Sequence, residues 1–435
     1  MKHSFYNMEL ALPNSERLLY NTRTDYLVTL DDSLYRRFDR LDLTSEEAAA
    51  LHEMGFIIED GADELKALRQ DHFTAKRNGH ELHLVIQTST GCNFACTYCY
   101  QNHSVKNLEA DGIRKLQSFV LAKLATGVTQ LTVHWFGGEP LLNMEVIFTM
   151  EEWFKELSAQ YPHLSYFSSI TTNGYLLKSP VIDRLERETR ISSIQVTLDG
   201  PAELHNRSRQ LKNGSGTYEA IFRNLRELLV RSARIHVTLR YNVTQVNIHY
   251  IKPFLEGLEA AEMLYHPRLE LNFQKVHNYN GNAEDESGVY FASKEDYAAQ
   301  LLDVYRLLAD KGLTLPRYTV LKKVHCDFEK RNTAVVGPDM NLYICTASDF
   351  TPEYSLGLLG ENGSITDERP SEMVERNIFA KDKCLSCRLL PLCMGGCSKL
   401  EAMGEDECIP ERYIFLELLK LYYQEQIGAG ALAGS

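Results

Sequence analysis

At 435 residues the chain is long enough for two or three domains and a substantial buried core. Its 44% hydrophobic and 24% charged residues describe a globular protein, and a formal net charge of −13 argues against a nucleic-acid partner held through its phosphates. The opening segment MKHSFYNMELALPNS lacks the apolar core of a signal peptide and no run of about 18 apolar residues occurs, so a cytoplasmic protein without a membrane partner is expected. In such a reducing compartment the ten cysteines read as metal ligands or catalytic thiols rather than disulfides. Their clustering agrees, since none falls between Cys99 and Cys326.

In chain order, Arg17–Thr22 and Asp25–Leu30 read as two short strands across the turn-prone Arg23-Thr24. Asp31, Asp32 and Ser33 are candidate N-caps for a helix over Leu34–Leu41. Ser45-Glu46-Glu47 opens a second helix through Met54, which Gly55 stops, and Phe56-Ile57-Ile58 is a return strand. The pattern suggests a small winged-helix-like module. Lys66–Gly79, densely charged, reads as a linker.

The stretch Thr88–Gln101, TSTGCNFACTYCYQ, leaves a predicted strand at His83–Thr88 and carries Cys92, Cys96 and Cys99 at C-x3-C-x2-C spacing, with Tyr98 before the last. Iron–sulfur clusters are usually held by four thiolates, so three leave one iron open to a non-protein ligand. The bland alternative is three structural thiols or a partial zinc site. The motif resembles that of the radical S-adenosylmethionine (SAM) enzymes. That resemblance implies that the open iron chelates the methionyl amine and carboxylate of SAM. It further implies that cleavage of the sulfonium yields a 5′-deoxyadenosyl radical, which takes a hydrogen atom from substrate.

Further strands are predicted at Leu131–Phe136, Tyr166–Thr171, Ser193–Leu198, Ile235–Tyr241 and Leu269–Gln274, with amphipathic stretches such as Gly112–Leu124, Val146–Leu157 and Tyr218–Leu229 between them. Six strands with intervening helices make an α/β fold with a parallel sheet. The resemblance turns this sheet into a partial (β/α)6 TIM-like barrel over residues 80–310, with its chemistry at the carboxyl ends of the strands. Gly137-Gly138-Glu139-Pro140 matches the family's GGEP, in which the glycines let the backbone approach the ligand and Glu139 accepts the methionyl ammonium. Asn173 and Asp199, at the ends of the third and fourth strands, are expected to face SAM or substrate. Arg240 on the fifth is assigned to the SAM carboxylate. His205-Asn206-Arg207-Ser208-Arg209 resembles HDxxR, with Asn206 in place of the acid.

Near the C-terminus, Cys384, Cys387, Cys393 and Cys397 fall at C-x2-C-x5-C-x3-C, preceded by Cys326 and Cys345 and followed by Cys408. Spacing alone would also suit zinc. The whole arrangement resembles the SPASM extension of radical SAM enzymes, here residues 311–427, before a low-complexity tail at 428–435 read as flexible. Carried over, Cys384, Cys387, Cys393 and Cys408 hold an outer auxiliary [4Fe–4S] cluster. Cys326, Cys345 and Cys397 hold an inner one, whose fourth ligand is open or a neighbour such as His325 or Asp327. In the turn PDMNLYIC a glycine of the family pattern is missing, and Asn341 is expected to supply a left-handed conformation. Thr346 stands where sulfatase-maturing members carry an aspartate base.

Together these implications describe a SPASM-type maturase of ribosomally made peptides, with three [4Fe–4S] clusters and SAM, that forms a thioether, ether or carbon–carbon cross-link. Residues 1–79 are similar to the peptide-recognition elements that bind a leader peptide as an added strand, or else cap the barrel. Flavodoxin or ferredoxin is the expected reductant. An anaerobic sulfatase-maturing enzyme and a zinc-binding scaffold are the alternatives, and no catalytic base is legible.

Overall fold

A computed structural model of the chain describes residues 1–433 with the exception of 14, 102, 280–287, 316–320 and 349. The chain divides into two compact units, one of Asn78–Ala292 and Arg331–Val374, the other of Met1–Arg77, Ser293–Lys330 and Glu375–Ser435.

In the first unit, strands β1 (Glu81–Ser89), β2 (Gln130–Gly137), β3 (Ser165–Thr172), β4 (Ile191–Thr197), β5 (His236–Val243) and β6 (Leu269–Lys275) lie side by side in chain order. Each is parallel to the next. Helices α1 (Ala110–Ala125), α2 (Met144–Gln160), α3 (Ser179–Glu188), α4 (Tyr218–Arg231) and α5 (Ile251–Ala260) occupy the crossovers. Of these, α3 and α5 add to the three helices expected. The sheet does not stop at β1. Strand β7 (Thr333–Val336) pairs parallel to its free side, and β8 (Asn341–Tyr343), β9 (Ser355–Leu359) and β10 (Ile365–Thr366) continue antiparallel, giving ten strands in one mixed sheet.

Side chains alternate across a strand with period two. Leu131, Val133 and Trp135 of β2 and Val237, Leu239 and Tyr241 of β5 are buried, whereas Thr132, His134, Thr238 and Arg240 between them lie on the half-buried opposite face. A one-residue slip would exchange the two sets, so register is strongly specified. A fully buried carboxylate pins it further. Glu151 of α2 accepts from Trp135 Nε1 at 2.8 Å, Tyr166 Oη at 2.9 Å, the Arg190 backbone N–H at 2.9 Å and Ser168 Oγ, tying β2 and β3 to the helix.

The second unit opens with a three-stranded antiparallel sheet of Asn7–Ala11, Arg17–Asn21 and Leu27–Leu30. Asp31 caps the helix Asp32–Arg40, and a Thr44/Glu47 capping box opens Ser45–Glu53. Ile57–Ile58 pairs with Lys2–His3, a strand not foreseen. The expected linker is instead the helix Glu64–Lys76, capped by Asp63. Its charges mask a stripe four residues apart, in which Leu68, His72 and Lys76 are buried. The closing helix Phe415–Ala433 runs into the segment read as a flexible tail, whose last two residues lie outside those described.

Candidate active site

The cysteine loop leaves the carboxyl end of β1 and is held on two sides. Its short strand Phe94–Cys96 pairs antiparallel with Arg209–Leu211, setting Arg209 opposite Cys96. On the other side the turn after β2 is laced to it, Gly138 N–H donating to the Ser89 carbonyl at 3.0 Å and Glu139 N–H to that of Gly91 at 2.9 Å. Gly137 sits at φ +142°, and a Cβ on Gly138 would lie 2.6 Å from the Thr90 carbonyl oxygen and closer still to that of Gly91. The glycines therefore admit the cysteine loop itself, where the sequence reading had them admit a ligand.

Glu139 is fully buried and caps the short helical turn Pro140–Asn143. Its Oε1 accepts from Leu141 N–H at 3.0 Å and Thr172 Oγ1 at 2.7 Å, and its Oε2 from Asn173 N–H at 2.7 Å. A carboxylate has about four acceptor positions, so one remains on Oε2. Burial raises the Glu139 pKa, opposed by these donors. Asn173 in turn donates to Asn93 Oδ1 at 2.8 Å, beside Cys92.

Asp199 is buried and joins the fourth and fifth strand ends to the loop. It accepts from Tyr98 Oη through Oδ2 and from Asn242 N–H at 2.8 Å through Oδ1. Asn242 Nδ2 and Arg209 Nη1 both donate to Tyr98 Oη, at 3.0 and 2.8 Å. Arg240 Nε donates to Asn242 Oδ1 at 2.8 Å, which orients its guanidinium. His205 accepts the Asp199 N–H on Nδ1 at 3.2 Å. Asn206, in place of the expected acid, accepts the N–H groups of Thr217 and Tyr218 at 2.7 and 2.9 Å, so a neutral side chain caps α4.

The thiols of the loop suit a cationic group. Burial pushes Cys92 up to about 12, the Phe94 N–H pulls against it, and the charges of Glu139, Cys96 and Cys99 add to the rise. Burial likewise raises Cys96, with Arg209 opposing. A bound metal centre would deprotonate these thiols outright and so offset the cost of their burial. Among the described residues no three His, Cys, Asp or Glu side chains converge as a single ion would require. A cube, with irons at its corners, asks instead for thiolates set apart. His103, which the sequence reading passed over, places Nε2 3.4 Å from Cys99 Sγ and Nδ1 3.2 Å from the Thr90 carbonyl oxygen.

Of the C-terminal cysteines, Cys384, Cys387, Cys393 and Cys408 line one cavity of the second unit together with Lys383 and Arg412. Arg412 Nη1 donates to Cys408 Sγ at 3.1 Å, and burial pushes Cys393 up to about 11. Cys326 and Cys397 belong to the same unit, and His325 Nδ1 lies 2.9 Å from the Cys393 carbonyl oxygen. Cys345 belongs to the other unit, where it is buried and its N–H faces Ser348 Oγ at 3.4 Å. The left-handed residue before it is Met340, at φ +65°, where the sequence reading had Asn341. Asn341 is in β8, and Met340 turns its side chain over Gly112, whose absent Cβ leaves room for it. Tyr100 Oη donates to the Thr346 carbonyl at 3.0 Å, joining the cysteine loop to the segment after Cys345.

Residues 86–258 match the radical SAM superfamily, a segment that includes the cysteine loop, the Glu139 turn and Arg240. The chain is similar to a cysteine-type anaerobic sulfatase-maturating enzyme of Clostridium perfringens, with 23% identity over 359 residues, 76% of this chain and 92% of that one. It is also similar to the radical SAM cyclopropyl synthase TigE of Paramaledivibacter caminithermalis, 20% identical over 400 residues, 84% and 79% of the two chains. In fold it resembles the solved anSMEcpe with bound AdoMet and Kp18Cys peptide, at a TM-score of 0.63 and 19% identity over 80% of this chain and 99% of that one. Streptococcus suis SuiB bound to its precursor peptide SuiA gives 0.52 and 14% over 94% and 98%. No helix among the described residues is long and apolar enough to cross a membrane. With the three-cysteine loop set at the carboxyl edge of a parallel α/β sheet, the chain carries a radical SAM domain over residues 86–258 and is an enzyme.

Proposed function

We propose that this enzyme is a cytoplasmic peptide maturase that takes a hydrogen atom from one residue of a ribosomally made precursor and links that carbon to a neighbour. The observation that carries the reading is the N-terminal three-stranded sheet, in which Leu27–Leu30 pairs on one side with Arg17–Asn21 and is an edge strand on the other. Such an edge takes an extended leader peptide as an added strand. SuiB, solved with a precursor peptide, spans 94% of this chain, against 80% for anSMEcpe, which supports a role for the added length.

In this reading Cys92, Cys96 and Cys99 hold the SAM-binding [4Fe–4S] cluster, and the pair, once bound, supplies one-electron cleavage of SAM and a hydrogen-abstracting radical. Glu139 offers its remaining Oε2 position to the methionyl ammonium, and Arg240, oriented by Asn242, presents its fork to the carboxylate. Cys384, Cys387, Cys393 and Cys408 hold the outer auxiliary cluster. Cross-linking removes two hydrogens from the peptide, one as the atom taken by the radical and one as a proton released to solvent with an electron that an auxiliary cluster would accept; flavodoxin or ferredoxin would supply the electron for SAM cleavage.

Sulfatase maturation is the second reading, favoured by the 23% identical Clostridium perfringens relative. Thr346 offers no carboxylate to act as base in it. A zinc-binding scaffold is not favoured, because the superfamily match covers Glu139 and Arg240. Mass spectrometry of a precursor peptide encoded beside the enzyme and co-expressed with it separates the readings. Loss of two hydrogens, with fragments that stay joined, supports the maturase. Conversion of a cysteine to an aldehyde in a sulfatase peptide, with the precursor untouched, overturns it.

A further inference from the structure

Arg209 is a buried cation that faces the buried carboxylate of Asp199 on one hand and the cysteine loop on the other. It is 6% exposed and lies opposite Cys96 in the two-stranded ladder that anchors the cysteine loop. Nη1 donates to Tyr98 Oη at 2.8 Å, and the guanidinium stands 5.7 Å from the centre of the Phe94 ring. Its Nε has no hydrogen-bond partner among the described residues, the nearby Asp199 Oδ2 being 3.9 Å away, beyond hydrogen-bond reach. A buried donor left without a partner is costly, so its presence calls for an explanation.

We infer that Arg209 is a positioning residue that sets the reduction potential of the group held by Cys92, Cys96 and Cys99. The fixed charge beside Cys96 favours the more negative, one-electron-reduced form, as a desolvated cation does in a low-dielectric site. Asp199, on the other side of Arg209, opposes this field, and the two residues together hold the potential within reach of a flavodoxin- or ferredoxin-type donor. This rests on the reading that the loop holds a SAM-binding [4Fe–4S] cluster.

The test is potentiometric titration of the paramagnetic signal that changes on adding SAM, in the iron-loaded full chain. Arg209→Gln and Arg209→Met should move the midpoint to more negative potential, Arg209→Lys should move it less, and Asp199→Asn should move it upward. Formation of 5′-deoxyadenosine by Arg209→Gln should fall with flavodoxin and recover with a stronger chemical reductant, which a merely structural defect would not do. If Arg209→Met fails to assemble, the Arg209→Gln and Asp199→Asn shifts still decide. Equal midpoints in wild type, Arg209→Gln and Asp199→Asn, with the SAM-responsive signal present in all, overturn the inference and leave the cluster assignment standing. Absence of that signal from the wild-type protein overturns the assignment first.

Discussion

Glu139 accepts the backbone N–H of Asn173 at 2.7 Å while the Asn173 amide donates to Asn93 at 2.8 Å, so one buried carboxylate couples the second and third strand ends to the residue after Cys92. Replacing it tests two functions at once. Glu139→Gln presents an NH2 to donors that need an acceptor, and leaving one of them unpaired costs roughly 1–3 kcal/mol. A lowered thermal midpoint together with SAM affinity reduced at least tenfold is expected, measured by calorimetry and equilibrium binding. Unchanged SAM affinity would show that the carboxylate is structural only.

The glycines of the same turn give a separable outcome. Gly138→Ala would press a methyl group against the Thr90 and Gly91 carbonyls, which are backbone atoms and cannot swing aside. The cysteine loop should be displaced, and one cluster's share of iron and acid-labile sulfide should be lost. The cavity lined by Cys384, Cys387, Cys393 and Cys408 belongs to the other unit and should keep its own share. Full iron content in this variant would contradict the lacing described.

Asn206 predicts a contrast between two substitutions. Its Oδ1 takes two N–H groups at the start of α4, so Asn206→Ala should cost about 1 kcal/mol in denaturant unfolding, as loss of a cap does. Asn206→Asp restores the acid of the family pattern at a helix N-terminus and should be neutral or stabilising by about 0.5 kcal/mol. A large loss in the aspartate variant would mean that the pocket tolerates only the amide.

These residues also mark how far the sequence could be read. Strands β1 to β6 were legible, because β-branched and aromatic runs alternated with helical periodicity and strand ends fall beside Glu139, Asn173 and Asp199, whereas the short strands β7 to β10 were not. Arg209 was visible only as part of a resemblance. Nothing local says that the chain returns after α4's cap to pair it with Cys96. The Glu64–Lys76 helix was hidden because its buried stripe includes His72 and Lys76, whose polar ends find the Lys323 and Arg376 carbonyls at 2.7 and 2.6 Å. The Met340 turn escaped for a similar reason, since its left-handed conformation is offset by packing over Gly112, a residue far away in sequence.

Acid should destabilise the fold in a defined window. Burial depresses His72 and His134 to about 4, against about 6.5 in an unfolded chain. Between those values the unfolded state binds protons that the folded state does not. The stability from each histidine is therefore complete above about pH 6.5 and is lost as pH falls toward about 4, on the order of 3 kcal/mol apiece. Urea midpoints should drop across this range, and His134→Asn should flatten the slope. A midpoint independent of pH there would contradict the lowered titration of both rings.

The central claim is that the thiols of Cys92, Cys96 and Cys99 leave one iron free for SAM. Paramagnetic resonance of the reduced, iron-loaded chain tests it most directly. Adding SAM should change the signal of one cluster in the wild type, and that change should vanish when the three cysteines are replaced by alanine while the remaining signals persist. A wild-type spectrum that does not respond to SAM would contradict the account.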